Sequence, residues 1–253
     1  MSHAASKHRL WLATLLAGLL GFVLLSTLEE NIRMGLQSRS RELLGGDFAV
    51  SSRRWPSPTE LEAVRGELRR LGSLRETEVL EFFSMVGPPS QAPQLVELVT
   101  VEDAYPLVGS LERETSGCPL GSPGCLWGDA PLAIRWNLKS GDSFLRVGKS
   151  TLRWGGRILR DTSRGVRGTS FAPRVFLPRS LLADTGLLRA GATLTVRHLF
   201  AIEPPPSAEA LAGVAAALDQ KLTDPGIRLE TPRDASEDEG RLLRNVADYL
   251  GLS

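Results

Sequence analysis

DFAVSSRRWPSPTELEAVRGELRRLG, residues 47–72, is the stretch on which the fold turns. Its first six residues alternate as a strand does, with Phe48 and Val50 on one face. Ser57-Pro58-Thr59-Glu60 then opens a helix. A serine stands at the N-cap, a proline in the first turn where its missing N–H costs nothing, and a glutamate where it completes a capping box. Leu61, Val64, Leu68 and Leu71 form the apolar stripe of that helix, and Gly72 stops it. Downstream, LRETEVLEFFSMV at 74–86 and QLVELVTVE at 94–102 read as two strands separated by the breaker-rich GPPSQAP. The unit is β-α-β-β.

Toward the other end the pattern returns. ATLTVRHLFAIE at 192–203 alternates as a strand, SAEALAGVAAALDQKL at 207–222 reads as an alanine-rich helix, and GIRLE at 226–230 as a short strand. Two such halves predict an α+β fold: a split ferredoxin-like α/β subdomain, residues 47–104 and 191–232, with residues 105–190 inserted as a β-rich subdomain. Within the insert, DSFLRVG, STLRWGGRILRD and APRVFLP are short strands between glycines, which suits a small barrel or sandwich.

Before this domain lies LWLATLLAGLLGFVLLSTL, residues 10–28, without a charge. A helix of that length covers roughly 28 Å, close to the ~30 Å hydrocarbon core of a bilayer. Lys7, His8 and Arg9 precede it and Glu29 and Glu30 follow, so the positive-inside bias puts residues 1–9 in the cytoplasm and the bulk of the chain outside. The rival reading is a cleaved signal peptide, whose apolar core is usually about 7 to 15 residues with an A-x-A-like site after it. No such site follows Phe22. Instead ENIRMGLQSRSRELLGG continues the helix as a stalk over residues 29–46, with Ile32, Leu36 and Leu43 on one stripe and Gly45-Gly46 as its stop. Ala13, Ala17 and Gly21 share one face of the membrane segment, a spacing that lets membrane helices approach closely. A further helix is expected over residues 233–253.

The chain has 253 residues, 42% of them hydrophobic, with 30 basic and 29 acidic side chains. This balance excludes a disordered chain and a nucleic-acid-coating one. The average conceals an asymmetry. Between Arg146 and Arg179 stand nine basic side chains and one acid, a local charge of +8, which leaves −7 for the remainder. Arg146, Arg153, Arg157, Arg160, Arg164 and Arg167 make a candidate contact surface for anionic lipid head groups or an acidic partner. The alternative is that arginines merely occupy exposed strand faces in a chain with 26 Arg and 4 Lys. Nucleic acid is disfavoured as a partner by compartment.

Cys118 and Cys125, in the Gly/Pro-rich SGCPLGSPGCLWG, are a candidate disulfide in an oxidising compartment, stapling a local loop; two free thiols are the other reading. Nothing nearby completes a metal site. Three apparent enzymatic motifs fail. Gly148-Lys149-Ser150 resembles the end of a phosphate-binding loop, but Ser143 stands where that loop needs a glycine. Gly141-Asp142-Ser143 resembles an esterase nucleophile block, yet His198 is the sole histidine beyond the membrane segment and Thr195 replaces the aspartate expected three residues before it. Acid pairs such as Glu102-Asp103 and Glu237-Asp238-Glu239 have nothing to fix their separation for acid-base work. The expectation is no enzyme, no cofactor, no metal and no bound nucleotide.

Several blocks, in order, resemble the extracytoplasmic part of ABC transporter permeases of the FtsX/MacB-like class, especially its YbbP-like branch with two permease modules in one chain. They are RELLGGDFAV at 41–50, FFSMV at 82–86, LVTVEDAYPLVGSLE at 98–112, PLAIRWNLKSGDSFLRVG at 131–148 and PRVFLPRSLLADTGLLRAGATLTVRHLF at 173–200, followed by the closing helix from about Ala235. The more specific parts are Leu43, Leu44, Gly45 and Asp47, and Tyr105, Pro106, Leu107 and Gly109. The resemblance implies a periplasmic core domain on the first membrane helix of a permease of export or lipoprotein-handling type. It implies as partners the membrane, a separate cytoplasmic ATPase that drives the helices, and the remaining permease helices or a second permease chain. Family members continue into further membrane helices and this sequence stops at NVADYLGLS, so a truncated or split permease in the inner membrane is expected. The rival is a stand-alone membrane-anchored binding or scaffold module. The loop holding Cys118 and Cys125 departs from the family pattern.

Overall fold

The computed structural model describes residues 39–114, 118, 122, 124–163, 172–188 and 193–237. The chain divides into two units, Met1–Arg39 and Ser40–Ser253, and the described residues belong almost wholly to the second. The membrane segment and most of the expected stalk and C-terminal helix lie outside the described residues. Among the described residues no helix is long and apolar enough to cross a membrane.

After a helical turn at 39–44, β1 (Phe48–Ser52) leads to α1 (Pro58–Leu68), β2 (Ser73–Gly87) and β3 (Gln94–Val101). The capping box forms as read: the Glu60 N–H donates to Ser57 Oγ at 3.2 Å, and the Ser57 N–H donates to Glu60 Oε2 at 2.6 Å. β9 (Thr195–Glu203), α4 (Ala208–Lys221) and β10 (Ile227–Glu230) form the second half. Strands β10, β1, β9 and β2 lie side by side, all antiparallel. Taken in chain order as first to fourth, β1, β2, β9 and β10 stand fourth, first, third, second, which is the split β-α-β order of a ferredoxin-like unit. α1 and α4 cover one face, burying Phe48, Val50, Val64, Leu68, Phe200, Ile202, Leu211 and Leu218.

The insert is a closed barrel. It contains β4 (Leu111–Arg113), β5 (Cys125–Asp129), α2 (Ala130–Trp136), β6 (Phe144–Val147), β7 (Ser150–Asp161), β8 (Arg174–Pro178) and the short α3 (Leu182–Thr185). Pairing runs β2, β3, β8, β5, β7, β6 and back to β2. Its interior holds Leu80, Phe82, Leu98, Leu126, Leu145, Trp154, Val175, Leu177 and Val196, with Trp136 of α2 at its edge. The ring takes β3 and the far half of β2 from before residue 105. At 15 residues β2 spans about 50 Å at about 3.3 Å per residue, so its first part serves the ferredoxin-like sheet and its second the barrel. β3 therefore stands outside the four-strand unit, where the β-α-β-β reading had placed it.

One local reading is corrected. CLWGD was taken with the Gly/Pro-rich loop, yet the loop ends at Gly124, and Cys125–Asp129 is a strand buried along its whole length between β7 and β8. A short strand covered on both faces shows no alternation, and Gly128 breaks its apolar run, so periodicity had nothing to register.

Candidate functional site, the stalk junction

The helical turn at 39–44 ends where the sequence placed its stop. Gly45 adopts φ 78°, its N–H donating to Glu42 O at 3.1 Å, and the Gly46 N–H donates to Arg41 O at 3.2 Å. This is the hydrogen-bond pattern of a glycine-closed helix end. Asp47 follows at 1% exposure and is fully engaged. Its carboxylate accepts from Nε and Nη2 of Arg41 and, at 2.9 Å, from the Ile202 N–H of β9. The Asp47 N–H donates to Phe200 O at 2.7 Å. One buried carboxylate thus ties the last helical turn to the centre of the sheet.

The second family block meets the first. Val108 N–H donates to Gly45 O at 3.3 Å, while Tyr105 and Leu107 pack with Leu44, Val99 and Leu199 on the sheet face opposite the helices. Gly109 sits at φ 96°, and a Cβ there would stand 2.2 Å from Thr162 Oγ1, so this turn admits no side chain. Thr162 Oγ1 in turn accepts from the Ser110 N–H at 2.8 Å. Tyr105 Oη bonds Ser163 Oγ, and Ser163 Oγ donates to Asp161 Oδ1 at 2.7 Å. Burial, with the Asp161 charge nearby, pushes the Tyr105 phenol well above its usual range and keeps it a neutral hydrogen-bonding group.

Behind this contact runs a buried chain of charges. Arg174, 8% exposed in its side chain, bonds Glu97 Oε2 at 2.9 Å and Asp161 Oδ2 at 3.3 Å, and its backbone N–H donates to Asp129 Oδ2. Arg197 reaches Glu230 at 3.5 Å and Glu81 at 3.7 Å. Burial opposes the charge on both guanidiniums, but Glu97 and Glu81 outweigh it at Arg174, and Glu81 and Glu230 at Arg197, so both stay above the ordinary arginine range. A cavity of about 590 Å³ opens on this network, bordered by Leu44 and by Ala235 of the helical residues 232–237, with Ser51 Oγ buried and unpartnered at its wall. Arg179 bonds Glu78 at 2.7 Å, and His198 Nε2 lies 3.6 Å from Glu78.

Of the motif residues read from the sequence, Leu43, Leu44, Gly45, Asp47, Tyr105, Pro106, Leu107 and Gly109, the structure brings Leu44, Gly45, Asp47, Tyr105 and Leu107 to this junction, while the sequence reading did not single out Arg41, Glu81, Glu97, Asp161, Arg174 and Arg197 as part of it. A usable signal existed for two of these. Arg174 and Arg197 each interrupt an apolar strand on the face that Phe176, Leu199 and Ala201 bury, where an arginine needs partners. Of the basic candidates, Arg157 is held by Glu114, Arg160 lies 3.8 Å from Glu112, and Arg146 and Arg153 are exposed on β6 and β7. Arg164 and Arg167 lie outside the described residues. Cys118 and Cys125 are joined by a disulfide, Cα atoms 6.5 Å apart, which fixes the loop to the head of β5. Gly148-Lys149 is the turn between β6 and β7. Among the described residues no cluster of metal-ligating side chains occurs.

The junction joins a helix end to a sheet through buried, paired groups, with no nucleophile or poised acid and base among the residues described above. The described residues thus form a domain entered by the helical turn at 39–44. Over 190 residues, 75% of the chain, it is 30% identical to the uncharacterized ABC transporter permease YbbP of Escherichia coli strain K12. On this match the chain belongs with the ABC transporter permeases, as the counterpart of one part of such a protein. It spans about a fifth of that relative, which it covers over 22% of its length. No family model matches the chain. Among solved structures it is similar to the periplasmic region of MacB from Actinobacillus actinomycetemcomitans, at TM-score 0.47 and 10% identity over 78% of this chain and 94% of that one. It is also similar to the extracellular domain of the noncanonic ABC-type transporter YknZ from Gram-positive bacteria, at TM-score 0.45 and 12% identity over 72% and 100% of the two chains.

Proposed function

We propose that this chain supplies the first membrane helix and the periplasmic core domain of an ABC transporter permease of export or lipoprotein-handling type. Its output is mechanical. A separate cytoplasmic ATPase drives the membrane helices, and the motion enters the domain through the helix end at residues 39–44. The carrying observation is the Asp47 clamp, by which Arg41 and the Ile202 N–H share one buried carboxylate. A rotation of the helix end then displaces β9 and, through Gly45 and Val108, the Tyr105–Gly109 turn. Displacing β9 also shifts Arg197 against Glu81 and Glu230, and so changes the charged cavity beside it. The chain itself binds no nucleotide in this account. It sits in the inner membrane with residues 1–9 in the cytoplasm.

Gentle extraction of the tagged chain from its native membrane tests this reading. Recovery of an ABC ATPase in fixed ratio, with further permease helices or a second permease chain, is the expected result; a stable monomer free of both would refute it.

A further inference from the structure

The outer wall of the barrel joins two features that a folded surface normally keeps apart. Phe83, Met85 and Leu95 stand 58%, 51% and 51% exposed on β2 and β3, and Phe144 of β6 stands 45% exposed. Met85 pairs with Leu95, and Gly87, next outward on β2, pairs with Arg146, so one continuous wall runs from β3 across β2 to β6. On its β6 and β7 side Arg146 and Arg153 point outward and Lys149 occupies the turn. Phe144 and Arg153 are register partners, with the guanidinium 5.9 Å from the ring centre.

These three cations are uncompensated. Among the described residues none of them has a carboxylate partner, whereas Arg157 and Arg160 of the same strand lie beside Glu114 and Glu112. The nearest acids on the wall, Glu81 and Glu97, already face Arg197 and Arg174. We propose that this wall docks on an anionic phospholipid bilayer, with Phe83, Met85, Leu95 and Phe144 entering the head-group and acyl boundary and Arg146, Lys149 and Arg153 on the phosphates.

Two observations select a bilayer over a peptide. Peptide recognition uses a free strand edge or a groove, yet β2, β3, β6 and β7 are each paired within a closed ring, and the cavity described above adjoins the wall at Glu81 and Glu97 but is not lined by Phe83, Met85, Leu95 or Phe144. A convex wall of exposed apolar side chains beside unpaired cations suits a fluid, negatively charged partner that moulds itself to it. The proposal takes from the proposed function only the membrane anchor at residues 10–28, and stands whether or not an ATPase joins the chain.

The test keeps the anchor occupied. The full chain is inserted into phosphatidylcholine nanodiscs and mixed with separate vesicles, either pure phosphatidylcholine or with phosphatidylglycerol as about a third of the lipid. Flotation should carry the protein with the phosphatidylglycerol vesicles alone. At about fivefold per cation near an anionic surface, R146Q/K149Q/R153Q together should weaken association about a hundredfold. F83S/M85S should weaken it at unchanged charge. A control at the end of α1, on the opposite sheet face, R69Q/R70Q, should float as the parent does, and matching thermal melts establish that each variant is folded. No flotation of the parent, equal flotation with neutral vesicles, or undiminished flotation of the triple variant would overturn the proposal.

Discussion

Replacing Arg174 by Met removes a charge from the most enclosed part of the ion-pair chain while keeping most of the side-chain volume. Glu97 and Asp161 then remain at 12% and 4% side-chain exposure with their shared cation gone. Breaking a buried pair by removing one partner costs about 3–5 kcal/mol, far more than the net value of the intact pair, because the stranded charges stay desolvated. The open cavity beside the network admits water, so the lower end applies, about 3 kcal/mol. For a two-state domain of this size with an m-value of about 2 kcal/mol/M in urea, the midpoint falls by about 1.5 M. Trp127 and Trp154, both fully buried, report the transition by fluorescence. A loss under about 1 kcal/mol at pH 7 with unchanged m would refute the reasoning.

Other tests follow from the same contacts. Asp47→Ala strands the Ile202 N–H and frees Arg41, and should cost about 2 kcal/mol by denaturant melt. His198 has its basicity lowered by burial, with Glu78 opposing. Because the unfolded chain binds that proton more readily, stability should hold above about pH 6.5 and decline as pH falls below it, and His198→Gln should remove that part of the slope. Ser57→Ala should cost about 1 kcal/mol through loss of the α1 cap, measurable by the same melt. Non-reducing peptide mapping should recover Cys118 linked to Cys125, and a freely alkylated pair would contradict that.

The ferredoxin-like half was legible because its signals are local. A capping box, two alternating strands and an alanine-rich helix each declare themselves within about a dozen residues, and β1, α1, β9, α4 and β10 stand within a few residues of where those signals put them. The barrel was legible only as separate strands. Its closure depends on β3 pairing in parallel with β8, some 75 positions on, and on β6 returning to β2, and neither partnership leaves a trace in periodicity. The junction divides the same way. Gly45 and Gly109 mark turns that demand glycine, so they appear in the motifs. Arg174 finds Glu97 across 77 positions, and Arg197 finds Glu230 across 33, so sequence spacing could not pair them.

Hydrogen exchange across the junction, read in a complex of this chain with the ABC ATPase that the proposed function calls for, tests the central claim most directly. The account predicts that trapping the ATPase with ADP and vanadate changes the protection of peptides spanning residues 44–50, 105–110 and 200–204 together, and that Asp47→Ala abolishes the change at 200–204 while the ATPase still turns over. Protection in those three segments that is the same with and without nucleotide would contradict it.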